Sequence, residues 1–221
     1  MTLGNSVTKD ERRNIVNKKI RGHIDQIMAE FSEKSGKSGW CEKSINTIDG
    51  ISAIQNIFPD ARYICLYRNC LDQVHSALET FKIDPTGTAY GFNGFLNRAP
   101  GDPTNALIDY WYAKSSAIQK FERENPEKCV RIRYEDVVLD SNNTLKKMFS
   151  FLKSDWNESM LDSIFTSPRV VGPGDYKIVR TDKIRSDSVG CGKELEVKNI
   201  SADRLEKMNR LLVDLGYNSV H

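Results

Sequence analysis

The stretch Ala61-Arg-Tyr-Ile-Cys-Leu-Tyr67 is an aliphatic and aromatic run that reads as a buried strand. It passes almost at once into Cys70-Leu-Asp-Gln-Val-His-Ser-Ala-Leu-Glu-Thr-Phe81, where Leu71, Val74, Leu78 and Phe81 recur at helical spacing. Further patterns continue the alternation. Thr8 and Glu11 form a capping box ahead of a helix expected over about 9–33, "GWCEK" is short and strand-like, and Thr47 is placed to cap a helix that Pro59 stops. Residues 82–103 read as an irregular excursion, a candidate lid over a substrate site. Downstream come a long helix around "NALIDYWYAKSSAIQKFE", a strand "CVRIRY", and a helix "NNTLKKMFSFL" with Leu145, Met148, Phe149 and Leu152 inward. A Gly/Pro/Ser-rich loop over 168–192 follows, and then a final helix "SADRLEKMNRLLVDLG" that Gly216 can end. Such alternation predicts an α/β fold, a mainly parallel sheet flanked by helices, with ligands bound outside the carboxyl ends of the strands.

A chain of 221 residues, 39% apolar and 28% charged, suits one globular domain over 1–221. The formal net charge of +2 supports neither a broad nucleic-acid surface nor a membrane surface, so any anion site must be local. Cys41, Cys65, Cys70, Cys129 and Cys191 include no Cys-x-x-Cys pair and read as reduced structural thiols. No apolar export segment or membrane span is visible, so a soluble, cytoplasmic protein is expected, and the Asn-x-Ser/Thr triplets at Asn142, Asn157 and Asn199 are chance matches.

Gly36-Lys37-Ser38 imitates the end of a phosphate-binding P-loop, but the required first glycine position is Phe31 and the preceding segment is helical, with Ile20, Ile24, Ile27, Met28 and Phe31 at helical spacing. It reads as a flexible turn. Arg68 stands where a strand ends and a helix begins, a place where a guanidinium fork can meet a phosphate. Ser76, eight residues on, lies on the polar side of that helix with Asp72 and Glu79, and by spacing alone is a solvated surface serine. Lys43 ends the earlier strand-like piece, which would put it at the same sheet edge as Arg68; its other reading is a surface lysine. Tyr134, Glu135 and Asp136 end the "RYED" strand, either as a base-stacking group with loop-setting carboxylates or as a helix cap. In the late loop, Ser186, Ser188, Gly190, Gly192 and Lys193 form a pattern whose backbone N–H groups can approach an anion closely. His75 and His23 read as core or boundary histidines, and His221 is terminal.

Taken together, "WCEKS", "FPDARYICLYRNCLDQVHSALE", "VRIRYEDVV", "GPGDYKI" and "SDSVGCGKEL" resemble, in order and spacing, the PAPS-dependent sulfotransferases, most closely a bacterial-type branch related to the protein-tyrosine sulfotransferases. The resemblance covers about Trp40 to Tyr217, leaving 1–39 as a divergent helical segment. It implies a P-loop-NTPase-like sulfotransferase fold. It implies 3'-phosphoadenosine 5'-phosphosulfate (PAPS) as sulfuryl donor, 3'-phosphoadenosine 5'-phosphate (PAP) as product, no metal, and a small-molecule or peptide acceptor. Arg68 and Ser76 would then hold the 3'-phosphate and Tyr134 would lie near the adenine. The loop Ser186, Ser188, Gly190, Gly192 and Lys193 would close over the 3'-phosphate, and Lys43 would act at the transferred group.

Two departures qualify the implied site. Residues 1–39 contain nothing like the family's opening strand, Pro-(Arg/Lys)-Ser-Gly-Thr-Thr loop and helix, which holds the 5'-phosphosulfate; and Cys191 stands where relatives usually carry an arginine. The expected function is sulfuryl transfer to a hydroxyl or amine; the missing first loop leaves open a truncated chain, an upstream part supplied elsewhere and a degenerate relative. The alternatives are a non-catalytic nucleotide-binding remnant or interaction module of the same fold and, failing on the missing Walker glycine, a nucleotide kinase.

Overall fold

The computed structural model describes residues 7–44, 47–80, 91–166, 181–195 and 199–221, which fall into two compact units, one through Ala61 and one from Arg62 onward. In the first unit, α1 (Lys9–Lys34) begins as the capping box predicts. The Thr8 Oγ1 accepts from the Glu11 N–H at 3.2 Å, and the Glu11 carboxylate accepts from the Thr8 N–H at 2.8 Å. These bonds satisfy N–H groups that a helix start leaves without intrahelical partners. No residue of α1 is buried: Ile20 and Ile27 are exposed, Phe31 is 64% exposed, and His23 is exposed rather than at a core boundary.

The "GWCEK" segment forms no strand and carries no regular structure over 39–44. Its apolar anchor is Trp40, packed edge-on against Phe58 with ring centroids 5.5 Å apart. Thr47 does not cap a helix; its hydroxyl donates to the Glu42 carboxylate and the Ser44 carbonyl, both at 3.1 Å. A 3₁₀ turn over Thr47–Gly50 therefore precedes α2 (Ile51–Ile57).

The second unit is built on a parallel pair, β1 (Tyr63–Tyr67) and β2 (Cys129–Arg133), in the register Cys65 opposite Arg131 and Tyr67 opposite Arg133. The expected strand "ARYICLY" is present, but only one of its faces is covered. Cys65 and Tyr67 are buried, whereas Ile64 is 36% and Leu66 55% exposed, since successive side chains point to opposite faces. The core lies on the covered face. It comprises α3 (Cys70–Thr80), the N-terminal part of α5 (Pro103–Glu124) and α9 (Ala202–Asp214), meeting through Val74, Ile108, Trp111, Met208 and Leu212. Phe81, expected to extend the α3 face, and the first part of the candidate lid (82–90) lie outside the described residues. The described end of that excursion is α4 (Asn93–Leu96), whose Phe95 sets its ring edge-on to Tyr110, as does the neighbouring Phe92.

Polar groups tie α5 to the sheet. Glu122 accepts two 2.9 Å bonds from the Arg131 guanidinium and one of 2.8 Å from the Tyr67 hydroxyl. Such bidentate pairing fixes orientation as well as adding attraction. After β2 the chain enters helix immediately, α6 (Tyr134–Leu139) and then α7 (Ser141–Leu152), so Tyr134 opens a helix instead of closing a strand. Leu145, Met148, Phe149 and Leu152 are half-buried, not fully inward. A further helix, α8 (Ser159–Thr166), ends where the description breaks at 167–180, so "GPGDYKI" lies outside it. Ser201 caps α9, and Gly216 ends it at φ +85°, a left-handed conformation that favours glycine. The architecture is α/β with a parallel sheet, as the alternation predicts.

Candidate functional site

The ends of β1 and β2 and the first turn of α3 converge on one place, and backbone pairing holds them there. Asn69 bridges strand and helix: its Oδ1 accepts from the N–H groups of Leu71, at 3.0 Å, and Asp72, at 3.4 Å, which caps α3. Its own N–H donates to the Glu135 carboxylate at 2.9 Å, while the other Glu135 oxygen accepts from the Tyr217 hydroxyl at 2.8 Å. One step back, the buried Trp111 indole N–H donates to the Arg68 carbonyl at 2.9 Å. The backbone on both sides of Arg68 is thus fixed by groups from α5 and α6.

The Arg68 guanidinium projects from this rigid base. It lies 4.5 Å from the centroid of the Tyr134 ring and donates to the Ser188 carbonyl at 3.2 Å, while its Nε is buried without a partner among the described residues. The Tyr134 hydroxyl and the Ser188 hydroxyl are 2.8 Å apart. An aromatic face attracts a cation and a phenol end gives direction, so Tyr134 and Ser188 together aim the guanidinium.

The late loop arrives over α3 and ends in a 3₁₀ turn, Cys191–Glu194. Its Gly190 and Gly192 N–H groups each donate at 2.7 Å to one oxygen of the Asp72 carboxylate, which is 4% exposed. Gly192 permits that approach. A Cβ there would stand 2.3 Å from the Leu71 carbonyl carbon and 2.6 Å from the Asp72 nitrogen, closer than atoms can pack. Gly190 has φ +81°, and the Lys193 side chain folds back toward it. Burial, with the Asp72 carboxylate next in size, pushes the Cys191 thiol up from its ordinary range, and that thiol donates to the Ser188 carbonyl at 3.2 Å.

The structure therefore brings Arg68, Tyr134 and Ser188 into direct contact, ties Gly190 and Gly192 of the same loop to Asp72, and leaves Lys193 exposed. Ser76 lies half-buried two turns along α3, and its hydroxyl has no hydrogen-bond partner among the described residues. Ser186 is exposed, its carbonyl accepting from the Val189 N–H at 2.9 Å. Lys43 belongs to the first unit, exposed in an irregular segment, so the expectation that it ends a strand fails. His75 is half-buried, 3.9 Å from the Glu194 carboxylate.

Sequence reasoning left three groups without a role, Asn69, Asp72 and Trp111, whereas Glu135 was expected either to set the loop or to cap a helix, and it bonds the Asn69 N–H. Only Asn69, placed just before a helical pattern, carried a local capping signal. A buried guanidinium nitrogen and a half-buried α3 hydroxyl, both without partners among the described residues, and an exposed lysine are donors that fit a phosphate group. Among the described residues there is no group of three or more His, Cys, Asp or Glu able to hold a metal, and no helix long and apolar enough to cross a membrane.

Comparison with known proteins agrees with this fold. The sequence matches the family described as "Sulfotransferase family" over residues 4–158, starting upstream of Trp40 and stopping short of the 186–193 loop. It is 24% identical over 149 residues to a protein-tyrosine sulfotransferase of Drosophila melanogaster, covering 67% of this chain and 27% of that protein. A protein-tyrosine sulfotransferase A of Caenorhabditis elegans is 23% identical over 66% of this chain and 35% of its own length. The chain thus spans about a third or less of these relatives. Among solved structures, the "Sulfotransferase Domain from the Curacin Biosynthetic Pathway" superimposes with a TM-score of 0.65 at 16% identity, over 89% of this chain and 69% of that one.

Proposed function

The chain belongs to the sulfotransferase family, and from that premise we propose that the Arg68 site binds the 3'-phosphate of PAPS and of its product PAP. The observation that carries the reading is the Arg68 guanidinium itself. It is aimed by Tyr134 and Ser188 yet keeps its Nε buried and, among the described residues, unbonded, which leaves it ready to form a charge-assisted pair with a phosphate. Ser76 adds a hydroxyl donor and Lys193 a second cation at the rim. Because Arg68 occupies one face of Tyr134, only the other face is left for the adenine.

PAPS supplies the sulfuryl group. In its transfer to an acceptor hydroxyl or amine, the bond from sulfur to the leaving phosphate oxygen breaks as the bond from the acceptor atom forms, and negative charge grows on the leaving oxygen. Lys43 is the residue assigned to that charge, a compact ammonium suited to a single oxygen. Tyrosine hydroxyls of peptides are the first acceptors to test, on the names of the relatives. The five free cysteines support work in a reducing cytoplasm.

A second reading, donor binding without transfer, is favoured by one observation: Lys43 is exposed in a segment with no regular structure to aim it. One experiment addresses both. Titration of PAP and of 5'-AMP into the protein should show PAP binding at least about tenfold more tightly, the worth of one charge-assisted pair. Equal affinities would refute the 3'-phosphate site. Labelled PAPS with a tyrosine peptide then separates the readings, since transfer supports the enzyme and tight PAP binding without transfer supports the binding module.

A further inference from the structure

We propose that Asp72 is a positioning residue. Its carboxylate, rather than a ligand anion, occupies the paired Gly190 and Gly192 backbone donors, and so sets the 186–194 loop in register with Arg68. The inference rests on the reading that Arg68 holds a 3'-phosphate, and it changes how that phosphate is bound. A glycine-rich loop with converging N–H groups would ordinarily be assigned to the phosphate itself. Here both donors are spent inside the protein, at 2.7 Å each, on a carboxylate that is 4% exposed. Gly192 is also pressed against α3, where a Cβ would meet the Leu71 carbonyl carbon at 2.3 Å. A phosphate must therefore be met by other groups, the Arg68, Ser76 and Lys193 side chains first among them.

The loop still matters to those side chains, through Ser188. Its carbonyl accepts from Arg68 at 3.2 Å and its hydroxyl meets the Tyr134 phenol at 2.8 Å, so the loop position determines where the guanidinium points. Asp72 is the tie between that loop and α3, at a sequence separation of 118 to 120 residues. Its charge also sits in the first turn of α3, where the helix favours an anion. Asparagine would not replace it, because an amide offers one carbonyl oxygen and turns a donor toward the second N–H.

The test is Asp72→Asn, followed by amide hydrogen exchange and by nucleotide titration. Exchange at Gly190 and Gly192 should accelerate about tenfold or more while Ile132 and Leu212 stay protected, and PAP affinity should fall about tenfold with 5'-AMP affinity unchanged. Unchanged exchange at the two glycines would overturn the proposal whatever PAP does, and faster exchange with undiminished PAP affinity would overturn the positioning role. In the unmodified protein, the two glycine amide protons should be protected from exchange. That readout stands if the variant fails to fold, and unprotected amides there would equally overturn the proposal. If the unmodified protein binds PAP no better than 5'-AMP, the 3'-phosphate reading falls, and with it the phosphate-positioning role, while the exchange data still decide whether Asp72 holds the loop.

Discussion

The two stretches that carry the assigned cations are built by different forces. Around Arg68, a buried indole, a buried glutamate, a capping asparagine and a buried aspartate each bond backbone groups, so the chain there has few alternatives. Around Lys43, the contacts are exposed ones: the Ser32 hydroxyl to the Gly39 carbonyl at 3.3 Å, Thr47 to Glu42, and the edge contact of Trp40 with Phe58. Buried, fully paired polar groups specify one geometry, because leaving any of them unpaired costs the full desolvation penalty, whereas exposed groups can exchange their partners for water. The frame around the proposed phosphate site is thus prebuilt within the second unit. The residue assigned to the transfer step sits on a stretch that its own contacts define loosely.

The contrast is broken most sharply with glycines. Gly192→Ala should destabilise the protein by about 2 to 3 kcal/mol in urea unfolding, since its Cβ would overlap the Leu71 backbone. Gly39→Ala meets nothing within 4 Å and should leave the midpoint in place. Equal effects would show that the loop packs less closely than described. Next in size is Glu135→Ala, which strands the Asn69 N–H and the Tyr217 hydroxyl and should cost about 1 to 3 kcal/mol. A loss confined to a few tenths would mean that water replaces the carboxylate.

Alkaline pH gives a smaller and graded effect. Burial pushes the Cys65 and Cys70 thiols up, and burial followed by the Glu135 carboxylate does the same for the Tyr217 phenol. These groups stay neutral in the folded protein while the unfolded chain ionises its thiols from about pH 8.5. Their contribution is complete below that value and is lost as pH rises through the folded range. Thermal midpoints should therefore fall progressively above about pH 8.5; a flat profile to pH 10 would count against burial of these groups. Least of all should Lys43→Ala change stability. Its predicted effect is on turnover in any form of the protein that transfers sulfate, with donor affinity nearly unchanged. A raised donor KM at normal turnover would move Lys43 from the transfer step to binding.

Much of the second unit was legible in the sequence. The run of Tyr63–Tyr67 into Cys70–Thr80, the long helix through Trp111 and the capped final helix follow from periodicity and end signals, which are local. The failures were of three physical kinds. "GWCEK" has strand-like composition, but a strand exists only where a partner supplies hydrogen bonds, and none is described there. Ile64 and Leu66 look like core, but whether a strand is covered on one face or two depends on distant layers. Tyr134 reads as a strand end because its helix starts without a side-chain cap. Within the site, Arg68, Tyr134 and the late loop were found by motif, and the structure brings them together. Asp72 was not, because a carboxylate on a helix surface looks solvated until a loop 118 residues away covers it.

Recognition of the 3'-phosphate by Arg68 is tested directly by a thermodynamic cycle. PAP and 5'-AMP are titrated calorimetrically into the unmodified protein and into Arg68→Ala, with thermal midpoints recorded for both. Arg68→Ala should lose about 1.5 to 3 kcal/mol of PAP affinity, roughly ten- to a hundredfold, while its 5'-AMP affinity and thermal midpoint hold. Loss of both nucleotides in equal measure, or of neither, would contradict the assignment.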